Sequence, residues 1–364
     1  MHSLALVASL VIIVAILWDA FETVVLPRRV SRRLRLVRLV FVPAWRTYRA
    51  ILRRMPPGGR REDALSYFAP LSLFGLLASW ALGLIIGFAI LQWGLGSRIS
   101  STVDSNAPIT IGTDFYLSGT TFFTLGLGDV APRSRGAQIA VIAEAGIGFA
   151  FLAMVITYVP VFYQAFSRRE VRIALLDAWA GSPPTAVELI RRLGVYDHRR
   201  EFEQFLREWE TWAAETLESH ISFPALCFYR SQHDNQSWLA SLVAVLDACA
   251  LTMVGVEGLP ARSAALTFAM VRHVVVDLSQ VLGRAPRPLA RDRLPPAELA
   301  RLRQILEGAG VGVRDGREAD ERLAELRRMY EPYVSALSDY LLMPLPAWIP
   351  PPDLKDNWQK SRWK

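Results

Sequence analysis

TTFFTLGLGDVAP, residues Thr120 to Pro132, is too polar and too rich in glycine to cross a membrane, yet long apolar runs flank it on both sides. Glycines at alternate positions, Gly126 and Gly128, let the backbone take φ values that other residues avoid. Carbonyls from successive residues then point the same way, and a ring of such carbonyls replaces the hydration shell of a cation. The sequence therefore nominates Thr124, Leu125, Gly126, Leu127 and Gly128 as ion-binding residues. Thr124 adds a hydroxyl at one end, and Asp129 places a carboxylate at the outer mouth. Residues 114–123 read as a short helix with Thr113 as N-cap. It is too short to span hydrocarbon, and its negative C-terminal end would face the cation path.

Working outward, a helix that crosses a bilayer needs about 20 mostly apolar residues, because each backbone amide must find its partner within the segment. Three runs qualify: residues 3–26, 67–95 and 137–166. The first has no basic residues ahead of its apolar core and no small-residue cleavage site after it, so it reads as a span rather than a signal peptide. Arginine recurs from Arg28 to Arg61 with no acidic residue between, which places that loop on the cytoplasmic side. The N-terminus then lies outside, the quoted segment faces outward, and the third span returns inward to Arg168 and Arg169. A cell membrane, multi-pass, with a cytoplasmic C-terminus is the expected location. Within the loop, Val30, Leu34, Val37 and Phe41 keep helical spacing, and after Pro43 so do Trp45, Tyr48, Ile51 and Leu52. Both pieces read as helices lying on the inner surface, with Arg28–Arg61 meeting anionic lipid.

Composition agrees with a membrane portion followed by a soluble one. The 364 residues are 52% hydrophobic and carry a formal charge of +7. The basic residues cluster beside apolar spans, which argues for a membrane face and against nucleic acid as partner. Cys227 and Cys249 alone give no disulfide framework.

The quoted segment resembles the pore of tetrameric potassium channels, whose signature is Thr-Val-Gly-Tyr-Gly-Asp behind a pore helix and between two spans. Thr124, Gly126, Gly128 and Asp129 match in register, Thr121 fits the upstream threonine, and Pro132 fits the proline after the motif. The resemblance covers roughly residues 67–166 and is greatest to bacterial channels with one pore loop per chain and a cytoplasmic extension. Two positions differ. Leu127 stands where the family has tyrosine, as in Gly-Leu-Gly filters of second loops in two-pore-domain channels, and Phe123 replaces a common threonine. The resemblance implies a homotetramer, with permeant potassium as the only metal and no cofactor.

It also implies that residues 137–166 are the inner helix. Gly146 and Gly148 partway along it, and Pro160 near its inner end, are candidates for a hinge or gate. Packing through small residues is the alternative reading of the two glycines. Glu144, an ionisable residue at membrane depth, reads as filter support together with Asp129 and Thr121. Asp19 and Glu22 read as partners of Arg28 or Arg29. No span carries arginines at regular three-residue intervals, so voltage is not the expected stimulus.

Beyond Arg169 charged and apolar residues alternate at helical spacing. Residues 186–194, 201–219, 296–307 and 318–342 read as helices, and residues 238–256, with Asp247 at the centre, as a core helix. GAGVGV at 308–313 follows a helix and not a strand, so it lacks the context of a dinucleotide fingerprint. His220, His233 and Asp234 match no metal or catalytic spacing and read as a buried hydrogen-bonded network. The Pro-, Trp- and Lys-rich tail reads as a flexible or surface-docked end. The expected fold is an all-α membrane protein, with a potassium-channel-like pore module of outer helix, pore helix, filter and inner helix. The expected domains are 1–66, an N-terminal span plus basic amphipathic helices; 67–166, the pore; and 167–364, a helical cytoplasmic domain. The expected function is a passive cation channel and not an enzyme, with a cytosolic regulator unspecified. The alternative is a membrane-anchored sensor or scaffold with a silent pore, its activity residing in the C-terminal helices.

Overall fold

The computed structural model describes residues 2–24, 36–97, 99–102, 108–194, 199–232 and 236–351. Among them are twelve α-helices and one pair of short strands. The chain divides into two compact units, residues 1–55 with 67–163, and residues 56–66 with 164–364.

The first unit contains α1 (His2–Val24), α2 (Leu36–Leu52), most of α3 (Gly59–Gly94), β1 (Ile99–Ser101), α4 (Ile111–Phe122), β2 (Val130–Pro132) and the first part of α5 (Arg135–Ala180). α1, α3 and α5 are long and apolar enough to cross a membrane, and α3 and α5 both extend beyond the apolar runs legible in sequence. α1 packs on a glycine groove of α3. A Cβ at Gly83 would lie 2.5 Å from the Ile16 side chain, one at Gly87 2.8 Å from Ile13, and one at Gly94 3.0 Å from Leu6. Small residues let membrane helices approach closely, and dispersion contacts then hold them. Ile13, Ile16, Leu77, Trp80, Leu84, Phe88 and Phe122 form the buried cluster beside this groove. The opposite faces expose Leu4, Val7, Val11 and Val14 on α1 and Leu71, Phe74, Leu82 and Ile86 on α3, as a hydrocarbon surround requires. Asp19 accepts a 2.9 Å bond from the Trp80 indole, and Glu22 a 2.7 Å bond from Trp18. Arg28 and Arg29, their expected partners, lie outside the described residues, as do Val30 and Leu34.

The two surface helices expected on either side of Pro43 are one. α2 runs through Pro43 without a break. Phe41, Trp45 and Tyr48 all set their rings against Phe68, at centroid distances of 5.2, 4.7 and 5.4 Å. That packing spans the proline and offsets the backbone bond it removes, so tertiary contacts override a local helix breaker.

The second unit contains the start of α3, the remainder of α5, then α6 (Ala186–Gly194), α7 (Arg199–Ser222), a 3-10 turn (Pro224–Phe228), α8 (Trp238–Gly255), α9 (Ala261–Val281), α10 (Pro296–Gly308), α11 (Arg317–Arg328) and α12 (Glu331–Leu341). α8 and α9 also have the length and hydropathy of a span. Every side chain of α8 from Trp238 to Thr252 is nevertheless buried by the protein itself, so we read α8 as a core helix, with α9 packed against it. At the centre of α8, Asp247 pairs with Arg293 and accepts from the Tyr330 hydroxyl. Burial pushes the Asp247 carboxyl up, while Arg293 and Tyr330 oppose that shift. Among these helices α9 was not legible as a separate element. The helix expected over 318–342 is two, α11 and α12, parted at Met329 and Tyr330, because Pro332 has no N–H to continue the ladder. The tail is not free up to residue 351. Trp348 is buried, its carbonyl accepts from the Val187 amide at 3.2 Å, and Arg293 and Arg327 each lie 5.7 Å from its ring. Residues 352–364 lie outside the described residues.

Candidate ion-conducting site

α4 measures about 18 Å at 1.5 Å per residue, roughly half of what a span needs. Its N-cap is Thr110, three residues ahead of the Thr113 expected from sequence. Thr113 instead closes a capping box, its hydroxyl accepting from the Thr110 amide at 3.2 Å.

The other end of α4 is where the candidate filter begins. Thr124 N–H donates to Thr121 O at 2.9 Å, and Leu125 N–H to Thr120 O at 2.8 Å. Those two bonds define a Schellman motif whose left-handed position is usually glycine. Here it is Thr124, at φ +57°, a costly conformation for a β-branched residue. Gly126 follows at φ +58° and Gly128 at +77°, whereas Leu125 and Leu127 are not left-handed. The hand of the backbone thus alternates residue by residue from Thr124 to Gly128. Such alternation collects N–H groups on one side of a strand and carbonyls on the other. Leu125 and Leu127 are exposed, at 59% and 62%, so this chain alone leaves the segment open on one side.

Three elements hold the C-terminal end of the segment. Asp129 accepts from the Tyr116 hydroxyl of α4 at 2.7 Å. β1 pairs antiparallel with β2, with Ser101 opposite Val130 and Ile99 opposite Pro132. Beyond the ladder, Thr102 N–H donates to Asp129 O at 2.8 Å, and Thr102 Oγ1 donates to Gly128 O at 2.7 Å. Neither Tyr116 nor Thr102 stood out in the sequence, because no spacing rule links them to a residue so distant along the chain.

Glu144 is fully buried on α5, bonded to the Ser118 hydroxyl of α4, which also lies 2.7 Å from Ile85 O of α3. It therefore meets α4 at a three-helix junction rather than the filter backbone. Asp114, one turn before Ser118, is equally buried and accepts from Ser97 at 2.7 Å. α5 is helical through Gly146, Gly148 and Pro160. The two glycines differ sharply: a Cβ at Gly146 would meet nothing within 4 Å, but one at Gly148 would lie 2.0 Å from Phe122 O. Gly148 is where the end of α4 rests on α5.

In the second unit the guanidinium of Arg169 is buried and bonds Leu226 O at 2.9 Å, Tyr229 O at 3.0 Å, Glu170 at 2.8 Å and His220 Nε2 at 3.2 Å. His220 is thus in the buried network that its setting in the sequence indicates; His233 and Asp234 lie outside the described residues. Burial, and then the Arg169 cation, hold His220 well below the ordinary 6.5. No group of three or more His, Cys, Asp or Glu among the described residues could hold a metal ion.

Residues 76–165 match the Ion_trans_2 family model, described as ion channel. No curated protein and no solved structure matches the chain. The match begins within α3, takes in α4 and the alternating segment, and ends within α5. Over these residues the chain is similar to ion channels, and α1, α3 and α5 have the length and hydropathy of membrane spans.

Proposed function

We propose that the chain is one subunit of a homotetrameric passive cation channel that favours potassium. The observation that carries this reading is the alternation of backbone hand at Thr124, Gly126 and Gly128. One such segment supplies one wall of carbonyl oxygens, and closure around an axis by cyclic symmetry completes a shell that replaces a cation's water. Asp129, Thr121 and Glu144 support that wall, Asp129 through Tyr116 and Glu144 through Ser118. Gly146 and Pro160 on α5 are the positions where the inner helix bends as the pore opens. The N-terminus is external, the second unit cytoplasmic, and the arginines from Arg28 to Arg61 meet anionic lipid. Arg28 to Arg35 of that stretch lie outside the described residues.

Purified protein in liposomes with a potassium gradient tests the reading. Wild type carries flux, and its reversal potential under mixed potassium and sodium lies near the potassium value. Gly126→Asp abolishes flux while the particle keeps its tetrameric mass. A wild-type protein that is monomeric in mild detergent, or silent in liposomes, refutes it.

A further inference from the structure

We propose that Thr102 is a positioning residue for the last oxygen of the filter, and that its hydroxyl sets how firmly the outermost site holds a cation. The inference rests on the channel reading above and extends it to a residue outside the signature motif.

The physical case begins with Gly128. It sits at φ +77° between an exposed leucine and Asp129, and no residue of the filter sequence itself fixes its carbonyl. A glycine in that conformation is free to rotate its peptide plane, because no Cβ opposes the change. Thr102 removes that freedom. Its hydroxyl donates to Gly128 O at 2.7 Å, and its amide donates to the next carbonyl, Asp129 O, at 2.8 Å. The two bonds come from one residue, and that residue directly follows β1, whose register with β2 is set by three residue pairs from Ser101–Val130 to Ile99–Pro132. The amide bond is therefore built on the end of a strand, and the hydroxyl bond comes from a short, β-branched side chain with few rotamers.

A carbonyl oxygen has two lone pairs. Thr102 engages one at Gly128 and leaves the other for a cation. Fixing the first aims the second, so a cation entering the outer site finds an oxygen already oriented. Without the hydroxyl the peptide plane is free to turn, and part of the binding free energy is spent in ordering it. The inner carbonyls have no equivalent donor among the bonds that hold the segment; those bonds engage the amides of Thr124 and Leu125 instead. Thr102 consequently acts on the outer site and not on the filter as a whole.

The experiment is single-channel conductance of the full-length protein in planar bilayers as external potassium is raised, for wild type, Thr102→Val and Thr102→Ser. Valine is isosteric and puts a methyl in place of the hydroxyl, and the position is exposed in the single chain. The external potassium concentration at half-maximal conductance rises about five-fold in Thr102→Val, equivalent to about 1 kcal/mol, the size of one neutral hydrogen bond. Thr102→Ser stays within about two-fold of wild type, because it restores the donor. The half-maximal concentration measured from the internal side does not change. Should the valine variant fail to assemble, Thr102→Ala against Thr102→Ser gives the same comparison. A conducting wild type whose external half-maximum is unchanged or lowered in the valine variant, or whose serine variant behaves like valine, overturns the assignment. A wild type that conducts nothing overturns the channel reading instead, and this inference with it.

Discussion

Gly148→Ala is the substitution on which the geometry of the pore module bears most directly. The new methyl carbon would lie 2.0 Å from Phe122 O, 2.8 Å from its carbonyl carbon and 3.0 Å from its Cα. A tolerable carbon–oxygen approach is about 3.3 Å, so the end of α4 and α5 must part by roughly 1.3 Å. Backbone and not a side-chain tip is in the way, so no rotamer change relieves the clash. Overpacking of this kind costs about 1–3 kcal/mol, and a backbone clash belongs at the upper end. Phe122 lies two residues ahead of Thr124, so the displacement enters the alternating segment almost undiminished. Coordinating groups must be held within about 0.5 Å, and flux therefore falls at least about tenfold. The assay is potassium flux from liposomes, paired with a thermal unfolding curve in detergent. Gly75→Ala on α3 is the control, because its methyl meets open space and alanine favours the helix. Gly148→Ala with normal flux and an unchanged midpoint would refute the reasoning.

Four further outcomes follow from other parts of the structure. Thr124→Gly relieves a left-handed β-branched residue and raises stability by about 1 kcal/mol in thermal unfolding, while the lost hydroxyl lowers flux. Ser118→Ala removes the donor that Glu144 meets at the three-helix junction, costing about 1–3 kcal/mol; an unchanged unfolding midpoint counts against the junction. Gly87→Leu, which would drive a side chain into Ile13, loosens α1 from α3 and is read as faster proteolysis of the N-terminal helix. His220 is depressed in the folded state, so its contribution is present above the ordinary value of 6.5 and is lost as pH falls below it. The unfolding midpoint of the full chain falls on acidification through that range, and His220→Gln flattens the fall; an equally steep profile in the variant rejects His220 as a source.

The sequence by itself carried whatever is written in local chemistry. The amide-satisfaction rule marks α1, α3 and α5 by their apolar length alone, and paired glycines mark Gly126 and Gly128 because few other residues accept their conformation. Helices such as α6 and α10 were legible from periodicity and from a proline suited to a first turn. What depends on a distant neighbour was not. Pro43 should have ended a helix and does not, because rings on both sides of it pack on Phe68. Trp238 to Thr252 has the composition of a span, and the protein's own helices bury it. Gly146 and Gly148 look alike along the chain, and the approach of Phe122 alone separates them. Thr102 and Tyr116 reach Gly128 and Asp129 through bonds formed only when β1 and α4 are in place. Periodicity and backbone preference act over a few residues, whereas packing and hydrogen bonding join residues that the chain leaves far apart, so those features were decided by tertiary structure alone.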